Sequence, residues 1–179
     1  GPSKGVALGL NSRDHAREMG LPVPEEPVMF LKPGTSVIGP NEPILYPVDI
    51  SSRLDYEAEL GIVIGSRARN VRASEASDYI LGYTCVNDVT ARDLQAKDGQ
   101  WTRAKGFDTF CPVGPAVAAG DVDWRELEVT CAVDGQQRQH GRATDMAFGI
   151  PFLIHYISRI MTLHPGDLIA TGTPEGVGP

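Results

Sequence analysis

Apolar residues along this chain fall mainly into short runs, and runs of that length are typical of β-strands rather than of helices. The main runs cover residues 6–10, 56–64, 83–87, 127–133 and 168–172. The fourth run is followed by Asp134-Gly135, a pair that favours a two-residue hairpin turn. Between residues 21 and 47 the chain is rich in proline, which indicates a loop with only short edge strands. Strands are therefore expected to dominate the fold.

Helical patterns are fewer and lie far apart. Ser12 is placed to cap a short helix, which Gly20 ends. Ser74 is placed to cap a second helix, which Gly82 ends. After Pro151, apolar residues follow the i, i+3, i+4 spacing of a half-buried helix. A few separate helices among many strands predict an α+β protein with a mixed sheet.

Composition narrows the class of protein. The 179 residues are 41% hydrophobic and 22% charged, which is typical of a globular domain and excludes extensive disorder. A net charge of −7 without a basic run argues against nucleic acid and against a membrane surface as partners. No apolar run reaches the roughly 18 residues needed to cross a bilayer, and no export signal is recognised, so a cytoplasmic location is predicted. The separated Cys85, Cys111 and Cys131 are interpreted as small buried hydrophobes in a reducing compartment.

The length and the absence of internal repeats or a linker predict one domain over residues 1–179. The chain ends at Val177-Gly178-Pro179, directly after a glycine-rich turn. Because a domain rarely closes on such a segment, we expect its last C-terminal strands to be absent from this sequence.

Acidic residues near two predicted strands form the strongest candidate site. Glu57 and Glu59 are two positions apart on one strand, so their side chains share a face, while the residues from Gly61 onward are apolar on both faces. Asp88 follows the next buried strand and could face the same site or cap a turn. Two carboxylates beside a core repel each other unless a cation lies between them. Their oxygens suit Mg²⁺, Mn²⁺ or Ca²⁺ better than zinc, although a solvated edge strand is the simpler interpretation of the strand alone.

Cationic and imidazole side chains add a second set of candidates. Arg92 and Lys105 lie in short neutral stretches and could hold an anionic substrate, with Gln95 between them, although surface cations are common. His15 and Glu18 are three positions apart on the first short helix and so share a face. A histidine bound to a glutamate is a general base near neutral pH, but an H-x-x-E pair is also common on solvated helices.

Several known catalytic motifs are absent from the sequence. It contains no G-x-x-x-x-G-K-[ST] phosphate loop, no strand-linked G-x-G-x-x-G, no H-E-x-x-H and no G-x-S-x-G. Nucleotide-dependent and serine-hydrolase chemistry therefore have no support.

Six segments taken in order resemble the fumarylacetoacetate hydrolase family, in its single-domain branch. They read LNSRDHAREMG, MFLKPGTSVIGP, LDYEAELGIVIG, GYTCVNDVTARDLQ, DGQWTRAKGFDTFCPVGP and MTLHPGDLIATGTPEGVGP, and they span nearly the whole chain. That branch contains acylpyruvate hydrolases, oxaloacetate decarboxylases and hydroxyhepta-dienedioate isomerases. The family's lid motif N-Y-x-x-H has its tyrosine where this chain has Ser12-Arg13.

The resemblance implies a fold, a metal and a set of site residues. The fold would be the mixed β-sheet roll of the fumarylacetoacetase C-terminal domain, with a few short helices, in a protein that forms homodimers. Mg²⁺ or Mn²⁺ would be bound by Glu57, Glu59 and Asp88. The implied substrate-binding residues are Arg92, Gln95, Lys105 and Thr173, and the implied catalytic residues are His15 and Glu18 together with Lys105.

The function expected from these residues is cleavage of a C–C bond in a small 2-oxo or 2,4-dioxo acid, by hydrolysis or by decarboxylation, through a metal-stabilised enolate. A tautomerase of the 2-hydroxyhepta-2,4-diene-1,7-dioate isomerase type is the alternative, because it needs the same enolate site. A metal-binding domain without catalysis is a more remote alternative, since the His15–Glu18 pair and Lys105 are all present.

Overall fold

The computed structural model describes residues 1–179 and contains eleven strands and four α-helices. The first six strands are β1 Gly5–Gly9, β2 Val28–Lys32, β3 Val37–Ile38, β4 Leu54–Asp55, β5 Ala58–Ile64 and β6 Ile80–Asn87. The remaining strands are β7 Thr90–Ala91, β8 Cys111–Ala119, β9 Glu128–Val133, β10 Gln136–Arg142 and β11 Leu168–Ala170. The helices are α1 Arg13–Glu18, α2 Arg92–Asp98, α3 Thr102–Lys105 and α4 Ile150–Ile160.

Seven strands form one curled mixed sheet in the order β2-β1-β11-β5-β6-β8-β3. Strands β1 and β11 are parallel, as are β3 and β8, and the other neighbours are antiparallel. Two small ribbons, β9–β10 and β4–β7, complete the strand pairing. The expected α+β fold with a mixed sheet roll and few short helices is confirmed.

The main core lies between the sheet and α4. Ile150, Leu153, Ile154 and Ile157 on α4 are fully buried and belong to a cluster of sixteen buried residues that includes Ile62 of β5. Apolar residues at i, i+3, i+4 and i+7 form one helical face, and burial of that face fixes α4 against the sheet. A smaller cluster around α2 and α3 holds the two helices that follow β7.

Several local predictions are confirmed. The Ser12 hydroxyl accepts a hydrogen bond from the His15 backbone N–H at 3.4 Å, so it caps α1 as its position indicated. Asp134 and Gly135 both have positive φ, 51° and 75°, as a type I′ hairpin turn requires. The turn joins β9 to β10.

The second predicted helix is wrong. Residues Ala73–Tyr79 form a 3₁₀ segment, and Gly82 does not end it but lies inside β6. Gly82 pairs with Val63 of β5, so the sheet provides partners for backbone groups that a longer helix would have paired internally. Strand β5, which the sequence predicted to begin at residue 56, begins at Ala58.

The cysteines are all free, but they do not share one environment. Cys111 is buried, Cys131 is partly buried, and Cys85 is exposed on β6, so the interpretation as buried hydrophobes holds for Cys111 and is wrong for Cys85. No helix has both the length and the apolar character to cross a membrane, and the longest, α4, has eleven residues.

Candidate active site

The pairing of β5 with β6 places two acids side by side. Ala58 lies opposite Asn87, so Glu57, just before β5, and Asp88, just after β6, become neighbours. The Asp88 backbone N–H donates to the Glu57 carbonyl at 2.9 Å, and the Asn87 side chain accepts from the Glu57 N–H at 3.0 Å. Glu59 follows two positions later on β5. The antiparallel register therefore brings acids that are 31 positions apart in sequence into one site.

Glu57, Glu59 and Asp88 form a compact buried triad. One carboxylate oxygen of each lies within 4.8 Å of the others, and the three residues are 4%, 1% and 1% exposed. The structure thus brings together the three acids that the sequence pattern singled out. Hard oxygen donors at this spacing form the ligand set that Mg²⁺ and Mn²⁺ prefer.

Two predicted substrate-binding cations contact this triad directly. Lys105 Nζ donates to Glu57 Oε2 at 2.8 Å and to Asp88 Oδ2 at 2.7 Å. Arg92 donates to Glu57 Oε1 at 2.5 Å and to Asp55 Oδ2 at 2.7 Å, and its Nη1 donates to Gln95 Oε1 at 2.9 Å. The sequence indicated neutral surroundings for Arg92 and Lys105, but in the structure both side chains lie among acids. The reason is that α2 and α3, which carry these two residues, fold back over the strand ends.

A third cation at the triad was missed by the sequence analysis. Lys32, the last residue of β2, is 1% exposed, and its Nζ donates to Asp88 Oδ1 at 2.5 Å and to the Lys105 carbonyl at 2.6 Å. Its position in a proline-rich stretch gave no signal of burial. The pairing of β2 with β1 is what directs this side chain into the protein.

Negative charge exceeds positive charge in the buried cluster. Four acids, Asp55, Glu57, Glu59 and Asp88, face three cations inside the cluster, namely Lys32, Arg92 and Lys105. A fourth cation, Arg53, contacts Asp55 at 3.3 Å from the surface, where its side chain is 62% exposed. Glu59 has no cationic partner and accepts only from the Gly172 N–H at 2.8 Å.

The pKa values reflect this imbalance. Burial, followed by the charges of Asp88 and Glu57, raises the pKa of Glu59 well above its usual value. Burial by itself would raise the pKa of Asp88, but Lys105 and Lys32 outweigh that effect and lower it. Burial likewise opposes the charge of Lys105, yet Asp88 and Glu57 keep its pKa above the usual value. A divalent cation would supply the positively charged partner that Glu59 lacks, so the donor set fits a metal ion.

The predicted catalytic pair, the general base His15 and its partner Glu18, lies on α1. His15 Nδ1 and Glu18 Oε2 are 3.0 Å apart, and His15 is 6% exposed. The other carboxylate oxygen of Glu18 accepts from the Gly176 N–H at 2.9 Å, which ties α1 to the C-terminal segment. Because Glu18 takes Nδ1, the nitrogen left for proton transfer is Nε2.

Thr173 is held beside the strand that carries Glu59. Its hydroxyl donates to the Ala58 carbonyl at 2.9 Å and accepts from Gln139 Nε2 at 2.8 Å. Gln139, 1% exposed on β10, also accepts from the Ala58 N–H at 2.9 Å. The sequence gave no signal for Gln139, because its contacts come from the packing of the hairpin against β5.

One pocket of about 170 Å³ collects the predicted residues. It is lined by His15, Glu57, Arg92, Gln95, Lys105 and Thr173, and its remaining wall is mainly apolar, with Leu8, Gly9, Leu10, Met19, Leu21 and Trp101. A larger depression of about 780 Å³ lies elsewhere and contains none of the predicted site residues. Glu18, Glu59 and Asp88 do not line the pocket themselves, so the pocket presents two cations, a histidine and one member of the acidic triad, Glu57, to a small molecule.

The other histidines lie outside this pocket. His140 contacts Glu128 on the exposed β9–β10 ribbon, and His155 Nδ1 contacts the Val71 carbonyl at 2.7 Å. His15 is thus the only histidine that lines the pocket.

Comparisons with known proteins identify the family of this chain and several of its relatives. Residues 4–179 match the family model described as fumarylacetoacetate (FAA) hydrolase C-terminal. An oxaloacetate decarboxylase from Dictyostelium discoideum is 47% identical, over 97% of this chain and 82% of that protein. An oxaloacetate tautomerase from Xenopus laevis is 44% identical, over 99% of this chain and 56% of that protein. The crystal structure of a 2-hydroxyhepta-2,4-diene-1,7-dioate isomerase from Mycobacterium marinum is 50% identical, with a TM-score of 0.91 over 99% of this chain and 66% of that one.

Proposed function

Since the chain belongs to the fumarylacetoacetate hydrolase family, we propose that it is a divalent-metal-dependent enzyme that cleaves a C–C bond in a small 2-oxo or 2,4-dioxo acid. One observation carries the proposal, namely the pocket in which Glu57 of the acidic triad lies together with Arg92, Lys105 and His15. Relatives named for oxaloacetate decarboxylation and tautomerisation support the same substrate class.

Glu57, Glu59 and Asp88 would hold the metal, which we propose to be Mg²⁺ or Mn²⁺. When bound, such an ion supplies a Lewis acid that polarises the carboxylate and keto oxygens of a 2-oxo acid. Glu59 is the ligand whose charged form the metal ion would stabilise most, because burial without a cationic partner disfavours that form.

Arg92, Gln95 and Lys105 would bind the substrate and stabilise the charge that develops on it. Lys105 is a buried ammonium kept charged by two acids, so it can donate to the enolate oxygen that forms when the C–C bond breaks. Arg92 and Gln95 are held together by their mutual hydrogen bond and line the same pocket. These groups are in place before reaction, so little reorganisation is needed.

His15 would activate the water for hydrolysis. Glu18 orients the ring through Nδ1, and Nε2 takes a proton from water as its oxygen adds to the distal carbonyl of a 2,4-dioxo acid. The bond between C3 and C4 then breaks, its electron pair forms the enolate of pyruvate, and a proton returns to C3. For acetylpyruvate and water, the products are acetate and pyruvate.

A substrate panel tests the proposal. The purified chain is assayed with acetylpyruvate, oxaloacetate and a 2-hydroxydienoate, each with Mg²⁺, Mn²⁺ or a chelator, by loss of enol absorbance and by product analysis. We expect metal-dependent release of pyruvate from acetylpyruvate or oxaloacetate. Absence of turnover for every substrate in the presence of either metal would overturn the assignment as an enzyme of this class.

Tautomerisation without bond cleavage is the second candidate. The observation that favours it is the likeness to the M. marinum isomerase structure, together with an enolate-stabilising cluster that does not include His15. In the same panel, interconversion of keto and enol forms without pyruvate release would select this alternative.

We also propose that the protein acts as a homodimer. Five large apolar side chains between residues 44 and 50 are exposed, namely Ile44, Leu45, Tyr46, Val48 and Ile50. A second copy of the chain could cover such a patch. Light scattering at micromolar concentration should give twice the mass of one chain, and a monomer mass would contradict this proposal.

A further inference from the structure

Lys32 is a buried cation to which the proposed chemistry gives no role. Its side chain is 1% exposed, it ends β2, and it is not among the residues that line the pocket. Burial of an ammonium group is costly unless fixed acceptors surround it. Lys32 has two such acceptors, and both belong to the candidate site.

The first acceptor is the Asp88 carboxylate, which two lysines share. Lys32 Nζ binds Oδ1 at 2.5 Å, and Lys105 Nζ binds Oδ2 at 2.7 Å. A carboxylate held at both oxygens cannot rotate freely about its terminal bond. Contacts of this kind behind a ligand fix its orientation toward a metal.

The second acceptor is the Lys105 carbonyl, at 2.6 Å. Lys105 ends α3, which has only four residues, and the last carbonyls of a helix have no partner within it. The Lys32 ammonium provides that partner at the negative end of the helix. Pro33 follows Lys32 and lies near Gly106, where an added Cβ would be 3.3 Å from the proline ring.

Lys32 therefore restrains Lys105 at both ends, at the backbone directly and at the ammonium group through the shared Asp88. We propose that Lys32 is a positioning residue that orients Asp88 for metal binding and Lys105 for enolate stabilisation. It does so without contacting the substrate. This inference rests on the proposed function.

Simple charge neutralisation is the competing explanation for Lys32. It predicts the opposite change in the affinity of the Lys32→Met variant for a divalent cation. If Lys32 only neutralised charge, Lys32→Met would leave the cluster more negative and would tighten the binding of a divalent cation. If Lys32 orients Asp88, the same change weakens metal binding despite the added negative charge.

The experiment measures Mn²⁺ affinity by calorimetry, and kcat and KM at saturating metal, for the parent chain, Lys32→Met and Lys32→Arg. Lys32→Arg keeps the charge but places its donors differently, so it also decides the question if Lys32→Met does not fold. We expect both variants to bind Mn²⁺ about 10- to 100-fold more weakly. We also expect a lower kcat with little change in KM, because Arg92 and Gln95 are left intact.

Lys4→Met is the matched control. Lys4 Nζ contacts the fully buried Asp167 at 2.5 Å, and neither residue lines the pocket. This variant should lower thermal stability while leaving Mn²⁺ affinity and kcat at parent values. Unchanged or tighter Mn²⁺ binding with parent kcat in the Lys32 variants would overturn the inference. A parent chain that binds no divalent cation and turns over no 2-oxo acid would instead overturn the proposed function.

Discussion

The two sides of the pocket are built in different ways. On one side, Glu57 lines the pocket and lies with Glu59 and Asp88 at the paired strands β5 and β6. These three acids are nearly fully buried, and the cations that contact them are two buried lysines and the partly buried Arg92. On the other side, His15 lies on the six-residue α1, and the Glu18 beside it is exposed. A helix of that length is not stable alone in water, so its order depends on a few tertiary contacts.

This difference separates two parts of the proposed chemistry. Enolate formation depends on the acidic side, which is braced by strand pairing and ion pairs. Water activation depends on the α1 side, which we expect to act as a mobile lid that orders when substrate binds. Tautomerisation and decarboxylation should therefore need only the first side, whereas hydrolysis should need both.

The largest effect should come from the acidic side. Glu57→Gln combined with Asp88→Asn removes two of the three proposed metal ligands with little change in shape. We expect Mn²⁺ binding to fall below detection by calorimetry, and hydrolysis, decarboxylation and tautomerisation to be lost together. Asp93→Asn is the control, since Asp93 is an acid on α2 that contacts Ser51 and Ser52 outside the pocket. Parent-like Mn²⁺ binding by the double variant would refute the metal site.

A smaller and more selective effect should come from His15→Ala. Removal of a positioned general base should lower kcat for acetylpyruvate hydrolysis by about 10²–10⁴-fold. Mn²⁺ affinity and tautomerisation should stay at parent values, because the side chain of His15 is hydrogen-bonded to Glu18 and to no triad residue. Unchanged hydrolysis would show that the pair on α1 is not catalytic.

Glu18→Gln should have a smaller effect again, since His15 remains in place. The change removes the carboxylate charge from the His15 contact and replaces the acceptor for the Gly176 N–H with a neutral amide oxygen. A hydrogen bond to a charged group contributes about 1.5–3 kcal/mol, which corresponds to about 10- to 100-fold in hydrolysis rate. Stopped assays of pyruvate release would measure this loss. A loss as large as that of His15→Ala would mean that the orientation of the ring, and not its presence alone, limits the rate.

The smallest effect is a pH dependence of stability in the metal-free protein. The pKa of Glu59 is raised in the folded state, so its contribution to stability is full below the usual glutamate pKa and is lost as pH rises through the raised value. Glu59→Gln cannot ionise, so its melting temperature relative to the parent should increase as pH rises. For a chain of this size, each kcal/mol corresponds to about 2–4 °C.

Calorimetric melting scans at several pH values would measure this difference. The exposed Glu25→Gln should show no such trend, because Glu25 lies outside the buried cluster. Saturating Mg²⁺ should restore stability to the parent and not to Glu59→Gln. A difference that stays flat with pH would contradict the raised pKa of Glu59.

The sequence predicted those parts of the molecule that depend on local pattern. The α1 cap at Ser12, the turn at Asp134-Gly135 and the stripe of α4 all follow from residues close together in the chain. The triad could also be predicted from the sequence, because Glu57 and Glu59 share a strand face and Asp88 directly follows the next buried strand.

The parts that could not be predicted depend on pairing between distant segments. Lys32 is directed inward by the partner of β2, and Gln139 gains its role only when the β9–β10 ribbon packs on β5. The segment after Ser74 carried a local helix signal, but pairing of β6 with β5 overrode it. In each case the deciding contacts join residues far apart in the chain.

The hydrogen bond between Gly176 and Glu18 joins residues 158 positions apart, and it would make the proposed hydrolysis conditional. The same carboxylate that orients His15 also holds the C-terminal segment, so the base is aligned only when these two parts of the chain meet. With α1 displaced, an enol that forms in the pocket can revert to the starting acid, and nothing is lost. With α1 in place, the proposed hydrolysis would divide the same species into two products that do not recombine. The position of one short helix would thus decide whether the reaction of a substrate in this pocket is reversible.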